Sequence, residues 1–280
     1  MIKTGIRTLF NNTQILFDKN IIFAIWDNSN NWGDALSPVL IQKISGKKVL
    51  LANRFTYNIK NVPVYSVIGS ILELPTSSIC GDKKLVVWGT GFISSKGRLK
   101  VRPKEICAVR GPLTRNLLLQ QGHECPEIYG DPALLFPRFY HPTIQKKYKL
   151  GIIPHYIDSQ SPFISNFQNE KDVKIINISG GIYKVVDQIC SCQKIASSSL
   201  HGIIAADAYG VSSTWIEFSN RVVGNGFKFH DYFQSIGRMD EKPLKMSEKI
   251  TIDDIINNFY QYKFDLDLKN LWDVCPFKQV

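Results

Sequence analysis

Short apolar runs alternate with amphipathic stretches along most of the chain, which is typical of an α/β protein. In the first half, β-branched and aromatic residues cluster in five runs that we interpret as strands, at 21–27, 64–70, 84–89, 105–110 and 126–130. A helix is expected from Gly111 to Gly122, because Pro112 suits a helix start and Gly122 a helix end.

The second half repeats the alternation. Strands are expected at 148–156, 173–178, 194–197 and 213–218, and helices at 181–192, 200–210, 227–237 and 251–262. Three prolines and several lysines follow Asp131 and indicate a connector, so we predict one domain over 1–145 and another over 146–280. Two such units predict two Rossmann-like domains facing a central cleft, with ligands at the carboxyl ends of the strands.

Composition narrows the classes of protein to consider. No apolar run reaches the ~20 residues that a membrane-spanning helix needs, and the N-terminus lacks the pattern of a signal peptide. The six cysteines show no paired metal-binding spacing, and Cys190 and Cys192 fall inside a predicted helix. We therefore expect reduced thiols, no metal site and a cytoplasmic protein.

The formal net charge of +10 indicates attraction to anionic partners. Phosphorylated substrates and the anionic inner face of the cytoplasmic membrane are both compatible with it, the latter through peripheral association. Nucleic acid is not expected as a partner, because the lysines are scattered and no nucleic-acid-binding motif accompanies them.

Glycine-rich or polar corners follow the five strands predicted in the first half. They lie at 30–38, 68–70, 88–92, 109–114 and 129–135. Gly89 and Gly91 would let the backbone approach a ligand closely, although each corner alone could be a simple turn. The 88–92 corner lacks the third glycine of a dinucleotide-binding motif, so a dinucleotide cofactor is not favoured.

Three basic side chains are candidates for binding an anion. Arg110 ends an apolar strand, where a guanidinium is either ion-paired or directed towards an anionic ligand. The serines 197–199 are expected to cap the following helix, and the first turn of that helix, which contains His201, is a potential anion site. Lys228 begins the next helix and could supply a second cation.

Several segments, taken together in order, resemble the polysaccharide pyruvyl transferase family. They are NWGD (31–34), VVWGTGF (86–92), VRGP (109–112), YGDPALL (129–135), SSLHGIIAADAYG (198–210) and FKFHDYFQSIG (227–237). The resemblance covers about residues 25–240 and implies a GT-B-like pair of Rossmann-like domains with the active site between them. It also implies transfer of the enolpyruvyl carbons of phosphoenolpyruvate to a sugar, which forms a pyruvate ketal and releases phosphate.

The resemblance assigns roles to individual residues. His201 matches the family's proposed catalytic histidine, Arg110 an arginine that binds phosphoenolpyruvate, and Leu200 a neighbour lining that site. Ser199 stands where many members have an arginine, so Lys228 or another of the basic residues would take its place. In this scheme His201 is the acid that protonates the donor, Asp34 or Asp131 is the base, and no cofactor is needed besides phosphoenolpyruvate as co-substrate.

Two alternatives remain open at the level of sequence. A GT-B glycosyltransferase that uses a nucleotide sugar would have a similar fold and similar basic helix starts. A non-catalytic, glycan-binding relative is the other alternative, because Ser199 departs from the family pattern. The sequence does not identify the acceptor sugar or show whether that acceptor is a polysaccharide or its lipid-linked precursor.

Overall fold

Two parallel five-stranded sheets form the framework of the protein. The computed structural model describes residues 20–27, 29, 31–59 and 62–278. The first sheet contains β1 (Ile21–Ile25), β2 (Lys48–Leu51), β3 (Val64–Ser66), β4 (Leu85–Trp88) and β5 (Glu105–Ala108). The second contains β6 (Tyr148–Ile153), β7 (Val173–Ile175), β8 (Cys192–Ser197), β9 (Ser212–Glu217) and β10 (Leu244–Lys245). The predicted α/β class and the two Rossmann-like sheets are thus confirmed.

Nine α-helices are found in the described ranges. They are α1 (Trp32–Ser45), α2 (Arg54–Asn58), α3 (Pro112–Gln120), α4 (Pro162–Ser165), α5 (Ile182–Cys190), α6 (Leu200–Ala208), α7 (Phe227–Ser235), α8 (Ile252–Asn257) and α9 (Leu268–Asp273). Two 3₁₀ helices, Pro132–Arg138 and Tyr156–Asp158, follow the first sheet and β6 respectively. Within this set, no helix is both long and apolar enough to span a bilayer.

Both sheets have the same topology. The strand order is β2-β1-β3-β4-β5 in the first sheet and β10-β9-β8-β6-β7 in the second, so each is a 2-1-3-4-5 sheet when counted from its own first strand. In such a sheet the connections diverge between the first and third strands, and the resulting crevice at their carboxyl ends is where ligands bind. These two switch points lie between β1 and β3 and between β6 and β8.

The structure departs from the predicted elements at several places. The expected strand at 126–130 is wrong: a single bridge joins Tyr129 to Val109, because Pro126 has no amide proton and Gly130 adopts a φ of +127°. The helix containing Cys190 ends there, and Cys192 begins β8, so the two cysteines do not share a helix. The short strands β2 and β10 were not predicted.

The carboxyl-terminal segment packs on the first sheet. The indole N–H of Trp88 donates to the Leu271 carbonyl at 3.0 Å, and the ring of Phe277 lies 4.6 Å from that of Tyr65. The division of the chain at residue 145 stays a prediction. Residues 1–19, in which no signal peptide is predicted, lie outside the described residues, as does Asn30.

Candidate functional site

The two switch points face each other across a small cavity of about 100 Å³. Loops after β1, β3 and β4 and the start of α1 form one wall, while the loop after β6 and the first turns of α6 and α7 form the other. We call this space the switch-point cavity. Its lining residues are Asp27, Ser29, Asn31, Asp34, Ser70, Ile71, Ile93, His155, Tyr156, Ser199, Leu200, His201 and Lys228.

His201 lies in the first turn of α6 and is buried against α1. A Cβ atom placed on Gly33 would lie 2.4 Å from the His201 imidazole, so the glycine of NWGD is what allows the helix to approach this ring. Burial, followed by the charges of Lys228 and Arg110, lowers the pKa of His201 to about 3. The His201 imidazole is therefore uncharged near neutral pH.

Asp34 faces the same cavity from the first turn of α1. Its Oδ2 accepts a hydrogen bond from the Ser29 hydroxyl at 3.0 Å. Burial raises the pKa of Asp34 to about 7, although the Ser29 hydrogen bond opposes this shift. Near neutral pH this carboxyl is consequently present in both its acid and its ionised form, which is unusual for an aspartate.

Asp131 lies behind the cavity and does not line it. Its Oδ1 caps the 3₁₀ helix by accepting from the Ala133 amide at 2.9 Å, so this carboxyl has a structural role in the turn. Its Oδ2 is buried without a hydrogen-bond partner in the described part of the chain. Burial raises the pKa of Asp131 to about 6, against the opposing effects of the Ala133 amide and Arg110.

Lys228 is the only lysine or arginine among the residues that line the cavity. It lies in the first turn of α7, as predicted. Burial, together with the charge of Arg110, lowers its pKa to about 8, and Asp34 opposes this shift. The lysine is thus a cation at neutral pH. A bound anion would offset the free-energy cost of burying its charge.

Arg110 is fully buried in an ion pair with Asp231 of α7. Its Nε lies 3.0 Å from Asp231 Oδ2, and the remaining donors reach the Ser70 hydroxyl at 2.5 Å and the Phe92 carbonyl at 2.6 Å. Of the two interpretations left open by the sequence, the ion pair is observed. Because Ser70 lines the cavity, Arg110 supports the cavity wall from behind.

The serines before α6 do not cap it through their side chains. Ser199 is the N-cap residue, yet its hydroxyl makes no capping hydrogen bond. Ser197 Oγ accepts from the Ser199 amide at 3.0 Å, and Ser198 Oγ accepts from the His155 amide at 2.8 Å. The expected capping is therefore wrong, and these hydroxyls instead connect the two strand ends of the second switch point.

Leu200, Gly89 and Gly91 have different surroundings. Leu200 lines the cavity, and its amide begins the α6 helix. Gly89 and Gly91 are not among the lining residues. A Cβ on Gly91 would lie 2.6 Å from the Arg110 guanidinium carbon, and Gly89, at a φ of +86°, is packed against Pro132. Both glycines thus make room for buried side chains next to the cavity.

His155 and Tyr156 belong to the cavity but were not singled out from the sequence. Their rings are 4.3 Å apart, and Tyr156 is half exposed at the cavity mouth. Burial and the charge of Lys228 lower the pKa of His155 to about 4. The strand expected over 148–156 ends at Ile153. If its end had been predicted there, His155 would have been recognised as a polar residue that follows a strand end.

Comparisons with known proteins agree with the resemblance found in the sequence. The model of a family described as polysaccharide pyruvyl transferase matches residues 81–220. An uncharacterised protein of Acanthamoeba polyphaga mimivirus is 29% identical over 257 residues, which cover 89% of this chain and 86% of that protein. The succinoglycan biosynthesis protein ExoV of Rhizobium meliloti (strain 1021) is 31% identical over 174 residues, or 61% of this chain and 52% of ExoV. No solved structure gives a significant match.

Proposed function

Because the chain belongs to the polysaccharide pyruvyl transferase family, we propose that it transfers the enolpyruvyl carbons of phosphoenolpyruvate to a sugar. The product is a pyruvate ketal that bridges two hydroxyls of the acceptor, and phosphate is released. The acceptor is a surface polysaccharide or its lipid-linked precursor, a class supported by the similarity to a succinoglycan biosynthesis protein. In this proposal the two Rossmann-like sheets form a GT-B-like pair.

The size and charge of the switch-point cavity are the observation that carries the choice of donor. At about 100 Å³ it is well below the ~300–1,000 Å³ of typical ligand pockets. A compact three-carbon phosphate suits such a space, whereas a nucleotide sugar would leave most of its atoms outside. The size of the cavity therefore favours phosphoenolpyruvate over the nucleotide-sugar alternative.

The donor anion is held on the wall formed by the second half of the chain. The amides of Leu200 and His201 at the α6 N-terminus and the Lys228 ammonium can receive its phosphate and carboxylate oxygens. Ser199 leaves space where many family members have an arginine, and Lys228 provides the cation in its place. Arg110 acts indirectly, since it holds Ser70 and pairs with Asp231.

Binding measurements can test this assignment. In calorimetric titrations at pH 7, we expect phosphoenolpyruvate to bind to the wild-type protein and UDP-glucose to give no heat. Lys228→Met should weaken phosphoenolpyruvate binding by about 10-fold, or about 1.4 kcal/mol. The wild-type affinity should also fall as pH rises above about 8, because Lys228 loses its proton there, while the Lys228→Met protein loses this pH dependence.

Lys174→Met is a suitable control, because Lys174 lies on β7 away from the cavity. It should bind phosphoenolpyruvate like the wild type. Tight binding of UDP-glucose without binding of phosphoenolpyruvate would contradict the proposal and favour a glycosyltransferase. Binding of phosphoenolpyruvate without phosphate release in the presence of any acceptor would favour the non-catalytic alternative.

A further inference from the structure

Ketal formation requires several proton transfers, and the switch-point cavity contains two groups suited to them. In the proposed pyruvyl transfer, on which this inference rests, the methylene carbon of the donor must gain one proton. Two acceptor hydroxyls must each lose one proton, and the departing phosphate must gain one. An acid alone would serve only the first of these transfers, so a base is needed as well.

Asp34 and His201 approach the same point, next to Gly69, from opposite walls of the cavity. A Cβ atom placed on Gly69 would lie 3.0 Å from Asp34 Oδ1 and 3.9 Å from His201 Cε1. Both side chains line the cavity, and both are almost completely buried. A donor seated on the α6 N-terminus would therefore have the carboxyl and the imidazole on two sides of its reacting carbons.

The charges around Asp34 favour the protonated carboxyl. Asp27 precedes it on the loop after β1, and Asp131 faces it from the 3₁₀ helix; both raise the pKa of Asp34, while Lys228 and the Ser29 hydroxyl lower it. Burial is the largest effect and keeps this pKa at about 7 despite the helix N-terminus, which by itself favours a carboxylate. A bound trianion would raise it further. The His201 imidazole is neutral at the same pH, and a bound trianion would raise its pKa and so make it a stronger base.

We infer that Asp34 is the acid that protonates the methylene carbon and that His201 is the base that receives the proton of the first acceptor hydroxyl. Protonation converts the methylene to a methyl group and makes the neighbouring carbon electrophilic. The first hydroxyl oxygen then bonds to this carbon while its proton passes to the imidazole nitrogen of His201. This assignment reverses the roles expected from the sequence.

The second half of the reaction returns both groups to their starting states. The bond between carbon and the phosphate oxygen breaks, and His201 gives its proton to the departing phosphate. The second hydroxyl oxygen bonds to the same carbon, and its proton passes to the Asp34 carboxylate. One donor and two hydroxyls are thus converted to one ketal and one hydrogen phosphate, with no net change in the protein.

The pH dependence of turnover tests whether a protonated group with the pKa of Asp34 is required. We expect kcat to fall on the alkaline side, because Asp34 must be protonated to act as the acid. The midpoint for kcat/KM should be near pH 7, and that for kcat should be higher, since the donor-bound state favours the protonated carboxyl. A kcat that stays constant or rises between pH 6 and pH 9 would overturn the inference.

Substitution of Asp34 tests the same point directly. With phosphoenolpyruvate and methyl hexopyranosides as acceptors, Asp34→Asn should lower kcat by at least about 100-fold and change the KM for phosphoenolpyruvate by less than about 3-fold. Asn matches the shape of the protonated carboxyl but cannot donate this proton. Asp207→Asn is the matched control, because Asp207 is a partly buried carboxyl on α6 that accepts hydrogen bonds from the Tyr232 and Tyr262 hydroxyls outside the cavity. It should keep kcat within about 3-fold of the wild type.

An infrared measurement does not depend on the acceptor. The wild-type-minus-Asp34→Asn difference spectrum should contain the carbonyl band of a protonated carboxyl at pH 6, and this band should fade as pH rises through about 7. A carboxylate signal at pH 6, or an Asp34→Asn protein with wild-type kcat, would overturn the assignment of the acid. By contrast, a wild-type protein that neither binds phosphoenolpyruvate nor releases phosphate from it would refute the proposed function itself.

Discussion

The two switch points have the same topology but opposite chemistry. The one between β1 and β3 presents carboxyl groups, with Asp27 and Asp34 on the cavity wall and Asp131 behind it. The one between β6 and β8 presents His155, His201 and the first turn of α6, and Lys228 joins it from α7. Two sheets of the same topology thus form two chemically different walls of one cavity.

This difference indicates how the work of the site is divided. In the proposed reaction, the second wall binds the anionic donor through its amides and its cation and supplies the base His201, whereas the first wall supplies the acid Asp34. The proposed reaction thus needs groups from both walls. The connection between them therefore matters as much as the residues that they carry, and the buried pair of Arg110 and Asp231 is a central part of it.

Removal of Arg110 should have the largest effect. Arg110→Ala leaves Asp231 buried without its partner, so we expect the free energy of unfolding to fall by about 3–5 kcal/mol. Chemical denaturation would measure this loss, and Arg98→Ala, which changes an exposed arginine, should cost less than about 0.5 kcal/mol. An Arg110→Ala protein of unchanged stability that no longer binds phosphoenolpyruvate would show instead that Arg110 acts on the donor directly.

The buried carboxyl of Asp34 should have the next largest effect, and with the opposite sign. Because folding raises its pKa from 3.8 to about 7, its contribution to stability is present below about pH 4 and is lost as pH rises towards 7. Asp34→Asn should therefore be more stable than the wild type at pH 8, by on the order of 3 kcal/mol. Denaturation at pH 4 and pH 8 measures the change, and equal differences at both pH values would contradict a raised pKa.

A smaller effect is expected where the two walls touch. In Gly33→Ala the new Cβ would collide with the His201 imidazole, so we expect a loss of about 1–3 kcal/mol in stability and a fall in turnover. The penalty should nearly vanish in a His201→Ala background, because the smaller side chain leaves space. Equal penalties in both backgrounds would mean that α1 and α6 do not meet in this way.

Much of the fold and several residues of the two cavity walls could be predicted from the sequence, because the patterns that indicate them are local. Alternating apolar runs predicted the two parallel sheets, and polar corners after strands indicated one edge as the site. His201 could be identified because it follows a strand end and begins a helix. The sequence also placed Asp34 in the polar corner after the first predicted strand and Lys228 at a helix start, and all three side chains line the cavity.

The rest depends on contacts between distant parts of the chain. Asp231, the partner of Arg110, is 121 residues away, and nothing in the local sequence links the two. Likewise, the pKa values of Asp34 and His201 depend on burial, which the local sequence does not show. His155 was missed because the apolar run at 148–156 continues past the true end of β6 at Ile153.

Mass spectrometry of an acceptor incubated with the protein and phosphoenolpyruvate tests the central claim most directly. If the two walls act together on one donor, the acceptor should gain one pyruvate as a ketal, with one phosphate released for each ketal formed. Digestion with mild acid should return the original acceptor, and the product should carry a methyl group in place of the vinyl group. An acceptor that gains a hexose from a nucleotide sugar, or that is unchanged while phosphoenolpyruvate remains intact, would contradict the account.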